Sequence, residues 1–398
     1  MAYDFINAPE RKGTNCLKYD AGPARKGRDD LLPLWVADMD LKLPDEVLAP
    51  LHAFIDHGIF GYGFAGPCYD QAVVAWYDRH FSWDIDPTWM VQTPGVVYAI
   101  GTALNAFTEP GDAVIIQQPV YYPFENLIRA NDRVLVNSEL IYDEGHYRMD
   151  FEGFERAVVD NDVKAFVLCN PHNPVGRVWT AEELRRVGDI CKQNGVVVIS
   201  DEIHADFTYP GHAHQVFATL SKEYADFTVT CTAPSKTFNL AGFQVANIVI
   251  SNPSLRRRFR DELNRFGYGG VSTVALVAAQ SAYEHGEAWH EALKEHLQDN
   301  LELFQSFLDE HLPEVKLVKP EGTYLLWVDF SAWGLADDEL DPFIVDKAHL
   351  WLDAGTMFGA RSAQFERFNI ACPRKTLLQA LNQLKQAREE LKGTAGGR

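Results

Sequence analysis

Cysteines are few and far apart in this sequence. The six of them, Cys16, Cys68, Cys169, Cys191, Cys231 and Cys372, form no CxxC pair anywhere in 398 residues. That spacing offers neither a disulfide framework nor a zinc site. Reduced thiols fit a cytoplasmic protein, and the cytoplasm is the expected compartment. Positive charge is scarce too: 36 Lys and Arg stand against 56 Asp and Glu, for a formal net charge of −20. The balance argues against a nucleic-acid partner and against an anionic membrane surface. One basic knot, Arg256–Arg258 with Arg260, follows Asn252-Pro253 and reads as the first turns of a solvated helix. No apolar run approaches the ~18 residues of a spanning helix. The opening MAYDFINAPERKG carries no apolar leader core, so no secretory signal is expected. Internal repeats and linkers rich in Pro, Gly or Ser are missing as well.

What is present is an ordinary globular composition, 46% hydrophobic and 23% charged, in a chain too long for one core. Short β-branched runs alternate with helical patterns through its middle. The candidate strands are AVIIQ (113–117), KAFVLCN (164–170), GVVVIS (195–200), DFTVTCT (226–232) and VANIVIS (245–251). TAEELRRVGDICKQ (180–193) is an intervening helix, with Thr180 as N-cap, Glu183 placed for a capping box and Gly195 near its end. Near-continuous apolar strands separated by helices imply a mostly parallel sheet covered on both faces. The character changes near residue 280. Leu293, Leu297, Leu301, Phe304 and Leu308 recur at helical spacing. One strand, TYLLWVDF, then a helical pattern and a last helix from about Lys375 complete an α+β region, and the closing GTAGGR is expected to fray. The resulting division is an N-terminal arm belonging to the small domain (1–45), a large α/β domain (46–280) and a smaller C-terminal α+β domain (281–398).

In an open α/β sheet, functional groups gather at the carboxyl ends of the strands. Three segments leave there: CNPHNPVG (169–176), SDEIHADF (200–207) and TAPSK (232–236). They would bring Asn173, Asp201, His204, Ser235 and Lys236 to one rim. Taken singly, Asp201 is an ordinary cap and His204 an ordinary half-buried histidine; a lysine among small, weakly polar neighbours is the unusual feature. Upstream, TPGVVYAI (93–100) sets Gly95 at a helix start, where free amides and the dipole suit an anion. PVYYPF (119–124) offers aromatic faces. An amine for a Schiff base, a carboxylate for a ring nitrogen, amides for a phosphate and a ring to stack on are what pyridoxal 5′-phosphate needs. Two other patterns carry less. GYGFAG (61–66) fits GxGxxG but follows a helical stretch rather than a strand, and HAH (212–214) lacks a third metal ligand, so no metal is expected.

VADMD, FGYG, TPGVV, NPHNPVGRV, SDEIHADF, PSKTFNLAG and RFNIACPR occur in this order between about residues 34 and 374. With them the chain resembles the fold-type I pyridoxal-phosphate enzymes of the class I/II aminotransferase superfamily, in the MalY/PatB-type cystathionine β-lyase (C–S lyase) branch. The resemblance implies a large domain with a mostly parallel seven-stranded sheet and a smaller α+β domain. It implies that Lys236 carries the cofactor, that Asp201 pairs with its ring nitrogen, and that His204 and Asn173 face its ring oxygen. Tyr121 would stack on the ring; Gly95, Val96 and Val97 would bind the phosphate with Thr232 and Ser235. Arg367 would clamp the substrate carboxylate, with Asn173 and Ala37 beside it. Tyr62 would reach the phosphate of a second subunit, which implies a homodimer. The implied reaction is cleavage of a cysteine thioether such as L-cystathionine to thiol, pyruvate and ammonia. Amino transfer is the alternative on the same scaffold, and a cofactor-binding regulatory protein is a third reading. Many aminotransferases place an arginine eight residues after the lysine; here that residue is Gln244. The segment before Arg367, FGARSAQFER, also departs from the usual glycine-rich pattern.

Overall fold

Alternation within the strands explains how the large sheet is buried. In the strand Ala113–Ile116, Ala113 and Ile115 join one core while Val114 and Ile116 join another, and Ala165–Cys169 alternates in the same way. Side chains of successive residues point to opposite faces, so a sheet apolar at every position must be covered on both. A computed structural model of the chain, describing residues 3–395, shows this sheet with seven strands. Their order is Met90–Thr93, Ala246–Val249, Thr228–Thr232, Val197–Asp201, Ala165–Cys169, Ala113–Ile116 and Val134–Asn137. Only Ala246–Val249 runs against the rest. The helix Ala181–Gln193 begins with the expected capping box between Thr180 and Glu183, and the basic knot lies on the helix Pro253–Arg265 behind the cap of Asn252.

The helix expected from the spacing of Leu293 to Leu308 is Glu287–His311; the helix Thr273–His285 precedes it, and Gly286 divides the two. A Cβ at Gly286 would lie 2.4 Å from the Phe238 ring and 2.5 Å from Ala282 O, so only glycine lets the chain pass this close. Leu293, Leu297, Phe304 and Leu308 are buried on the second helix. The small region holds more strand than expected: Lys316–Leu317, Leu325–Asp329, Phe365–Asn369 and Asp353–Ala354 form an antiparallel four-stranded sheet in that order. The final helix runs Arg374–Ala395, so Gly393–Ala395 of the tail extend it, and the rest of GTAGGR lies outside the described residues. Residues Leu32–Pro33 pair with Leu350–Trp351, which ties the N-terminal segment to this region. Among the described residues no helix is long and apolar enough to cross a membrane.

Candidate active site

The central strands end in register, Cys169 opposite Asp201 and Asp201 opposite Cys231. The segments leaving them therefore start side by side, and they wall a cavity of about 270 Å³. Its lining includes Gly95, Val96, Val97, Tyr121, Asn173, Asp201, His204, Ser235, Lys236, Arg367 and Ala37, all of them expected site residues.

Lys236 sits on the one-turn helix Pro234–Thr237. Its Nζ donates to Ala37 O at 2.7 Å, and the same carbonyl accepts the Tyr324 hydroxyl at 3.2 Å. Asn239 fixes the loop that carries Ala37 by accepting from the amide of Met39 and donating to its carbonyl, both at 2.9 Å. Burial, and secondarily the Arg367 charge, pushes the Lys236 pKa down to about 8. Asp201 accepts the Ile203 amide at 3.1 Å, and loss of solvent lifts its carboxyl to about 7. Burial holds His204 well below the usual imidazole range, with Lys236 and Arg367 adding to the effect, so its ring is neutral. Its Nδ1 is buried without a partner, and the ring stands edge-on to Tyr324 with centroids 5.7 Å apart.

Gly95 precedes the helix Val96–Phe107 with φ 114°, a conformation other residues rarely adopt, and a Cβ there would meet nothing within 4 Å. Ala99 is the first helix amide to reach back, bonding Gly95 O at 3.1 Å. The amides of Val96, Val97 and Tyr98 thus lack an intrahelical acceptor and meet the cavity at the positive end of a dipole. Gln244, in a left-handed conformation at φ 53°, also lines the cavity.

At the other end, Arg367 lies in the middle of the strand Phe365–Asn369 with its side chain 3% exposed. Its Nη1 donates to Asn173 Oδ1 and its Nη2 to Trp35 O, both at 2.9 Å, and Nη2 also bonds Asp353 Oδ2. The Nε is buried and unpartnered, and the guanidinium covers the Phe358 ring at 4.9 Å.

Two expected residues stand apart. The Thr232 hydroxyl donates to Asn247 O at 2.7 Å, and the residue does not line the cavity. An anion needs donors, and this proton is already given within the sheet. Tyr62 is fully exposed beside Phe60, in a loop bordering a different hollow with Thr273. The helix Asp45–His57 precedes that loop, so GYGFAG has no strand before it. Within HAH, His214 turns inward to Glu202, Nε2 to Oε2 at 2.8 Å, rather than remaining in a polar loop. Among the described residues no His, Cys, Asp and Glu group could hold a metal. Sequence reasoning missed Trp35, Tyr122, Tyr324 and Asp353. Trp35 lies within the quoted LWVADMD and Tyr122 within PVYYPF, whereas LWLDAG around Asp353 carries no signal.

Comparison with known proteins places this site in context. Residues 38–384 match the family model "Aminotransferase class I and II". The chain is 41% identical over 384 residues to cystathionine beta-lyase PatB of Bacillus subtilis, covering 96% of this chain and 99% of that protein. Cystalysin from Treponema denticola, whose crystal structure contains a pyridoxal 5′-phosphate cofactor, superposes with a TM-score of 0.94 at 37% identity, over 98% of this chain and 100% of that one. The PLP-bound C–S lyase from Staphylococcus hominis gives 0.91 at 32% identity, over 97% and 98%.

Proposed function

The chain belongs to the class I and II aminotransferase family, and from that membership we propose that it is a pyridoxal 5′-phosphate-dependent C–S β-lyase. Its substrates are L-cystathionine or related cysteine thioethers, released as thiol, pyruvate and ammonia. The observation that carries the reading is the cavity itself: one lysine of depressed pKa between a buried carboxylate, a helix N-terminus and an arginine. The residues fit the cofactor. Gly95 leaves open space in front of unpaired amides, His204 Nδ1 and Arg367 Nε are buried donors or acceptors awaiting a partner, and Lys236 reaches the centre. When bound, the cofactor supplies an electron sink conjugated to the substrate Cα.

The chain's own residues do the rest. Lys236 holds the cofactor; once substrate has displaced it, its amine accepts the Cα proton, with Ala37 O positioned to orient it. Asp201 faces the ring nitrogen, and a cation there would draw its carboxyl back down from about 7. His204 and Asn173 would attend the ring oxygen, and Tyr121 would offer its face to the ring. Gly95, Val96, Val97 and Ser235 would hold the phosphate, and the Thr232 hydroxyl is committed to Asn247 O within the sheet. Arg367 binds the α-carboxylate. The exposed loop carrying Tyr62 fits a homodimer in which that hydroxyl serves the neighbouring phosphate. A large domain over 46–280, a small one over 281–398 joined by the arm 1–45, and a cytoplasmic location complete the proposal.

Purified protein given L-cystathionine should release thiol and pyruvate together with no keto acid added. Keto-acid-dependent amino transfer with thiol at background would replace the lyase with an aminotransferase.

A further inference from the structure

The geometry around Arg367 contains an obstacle to the task given it. A carboxylate forks onto a guanidinium along the Nε/Nη2 edge or the Nη1/Nη2 edge, because Cδ closes the third. Either fork needs a free Nη2 hydrogen. Here Nη2 is fully engaged, with Trp35 O at 2.9 Å and with Asp353 Oδ2. Nε, buried and unpartnered, is half of a fork whose other half is occupied.

Asp353 is not there by chance of rotamer. It lies directly opposite Arg367 in the antiparallel register of the small sheet, its side chain is 4% exposed, and it lines the cavity. We propose that Asp353 is a specificity-determining latch, holding on Nη2 the place that an incoming α-carboxylate must take. The inference rests on the reading of Arg367 as the carboxylate site. Of the two Nη2 partners, Trp35 O belongs to the backbone, whereas Asp353 can turn about its own side-chain bonds. Burial raises its carboxyl pKa; besides Arg367, Lys26 and Arg25 favour its charged form, and Lys26 is itself paired with Asp341 at 3.1 Å. A simple carboxylic acid gains little here, since it exchanges one carboxylate on Nη2 for another. An α-amino acid brings a second attachment through its amine, and so the latch selects amino acids over plain carboxylates. Asp353 acts through Arg367 and is a positioning residue rather than a catalytic one.

Calorimetric titration of the holoenzyme with propionate, which has the carboxylate but no amine, tests this without turnover. Asp353→Asn should tighten the propionate Kd by about ten- to hundredfold, the worth of one charged hydrogen bond no longer in competition. Arg367→Met should abolish binding in either background. If Arg367→Met abolishes binding but Asp353→Asn leaves it unchanged or weaker, the latch is wrong and the carboxylate site stands. If binding ignores Arg367, the reading beneath the latch fails instead. Should Asp353→Asn not fold with Arg367 unneutralised, a crystal structure of the unaltered holoenzyme with propionate decides. Asp353 Oδ2 off Nη2 with propionate in the fork supports the latch; Asp353 still on Nη2 overturns it.

Discussion

Uptake of pyridoxal 5′-phosphate by the cofactor-free protein should track the ionisation of one amine. Burial first, and the charge of Arg367 second, lower Lys236 from 10.5 to about 8, while Asp38 and Asp201 pull the other way. An ordinary lysine is unprotonated in roughly 0.03% of molecules at pH 7, against roughly 10% for one of pKa ~8, a gain of about 300-fold in nucleophile. The sign follows directly, since only the neutral amine attacks a carbonyl. The second-order rate of uptake should climb about tenfold per pH unit below ~8 and flatten above it. Arg367→Met removes a repelling cation and should move the break to higher pH; Asp38→Asn removes an attracting anion and should move it lower. Stopped-flow absorbance between about pH 6 and 10 reads the rate, with a small amine as the control for titration of the cofactor itself. A rate that still climbs tenfold per unit above pH 9 would refute the argument, because Lys236 would then ionise like a solvated lysine.

Two further outcomes are expected. Arg367→Lys keeps the charge but loses the donors to Asn173 and Trp35 O, a deficit of about 1–3 kcal/mol or roughly 5- to 150-fold in kcat/KM; steady-state kinetics with L-cystathionine measure it, and a change under twofold would remove Arg367 from substrate binding. Tyr62→Phe should weaken cofactor retention, read by equilibrium dialysis, while sedimentation still reports a dimer; undiminished retention would take the Tyr62 hydroxyl away from the phosphate.

Five of the seven strands of the large sheet are legible because they state their burial in composition, whereas the edge strands Met90–Thr93 and Val134–Asn137 do not. A run such as AFVLC is apolar on both faces, and the helices between the strands carry caps and turn residues at regular spacing. In the small sheet only Leu325–Asp329, within TYLLWVDF, is legible in this way. Its strand Phe365–Asn369 reads FERFN, and all five residues are buried although three are polar. Neither alternation nor an apolar run marks such a segment; Arg367 is held by Asn173 and Asp353 and Asn369 by the carbonyls of Val36 and Asp38, while both Glu366 oxygens are buried without a partner and burial pushes that carboxyl well above the usual range. The site divides in the same way. Lys236, Asp201 and Asn173 follow strand ends that the sequence reveals, so topology alone places them. Asp353 and Tyr324 enter through the small sheet, whose register was invisible. Thr232, expected at the phosphate from the resemblance alone, turns its hydroxyl instead to the neighbouring strand at Asn247.

The distribution of charge in the cavity decides which way a ligand lies. Among the lining residues the cations are Lys236 and Arg367 and the acids are Asp201 and Asp353. Asp353 is already joined to Arg367. At the helix start after Gly95 the lining offers the free amides of Val96, Val97 and Tyr98. An anion held there depends on backbone dipoles, each sensitive to distance and direction. An anion at the Arg367 end meets a guanidinium whose charge Asp353 already offsets, so its gain depends on displacing that carboxylate. The two ends therefore hold an anion by different means, open backbone amides at one and an occupied cation at the other. The amide end is also the one for which a contribution from a second copy of the chain has been proposed through Tyr62. A donor arriving from outside the chain would make most difference where the chain offers backbone amides rather than a side-chain charge, and that is where the proposed Tyr62 hydroxyl of a second copy would act.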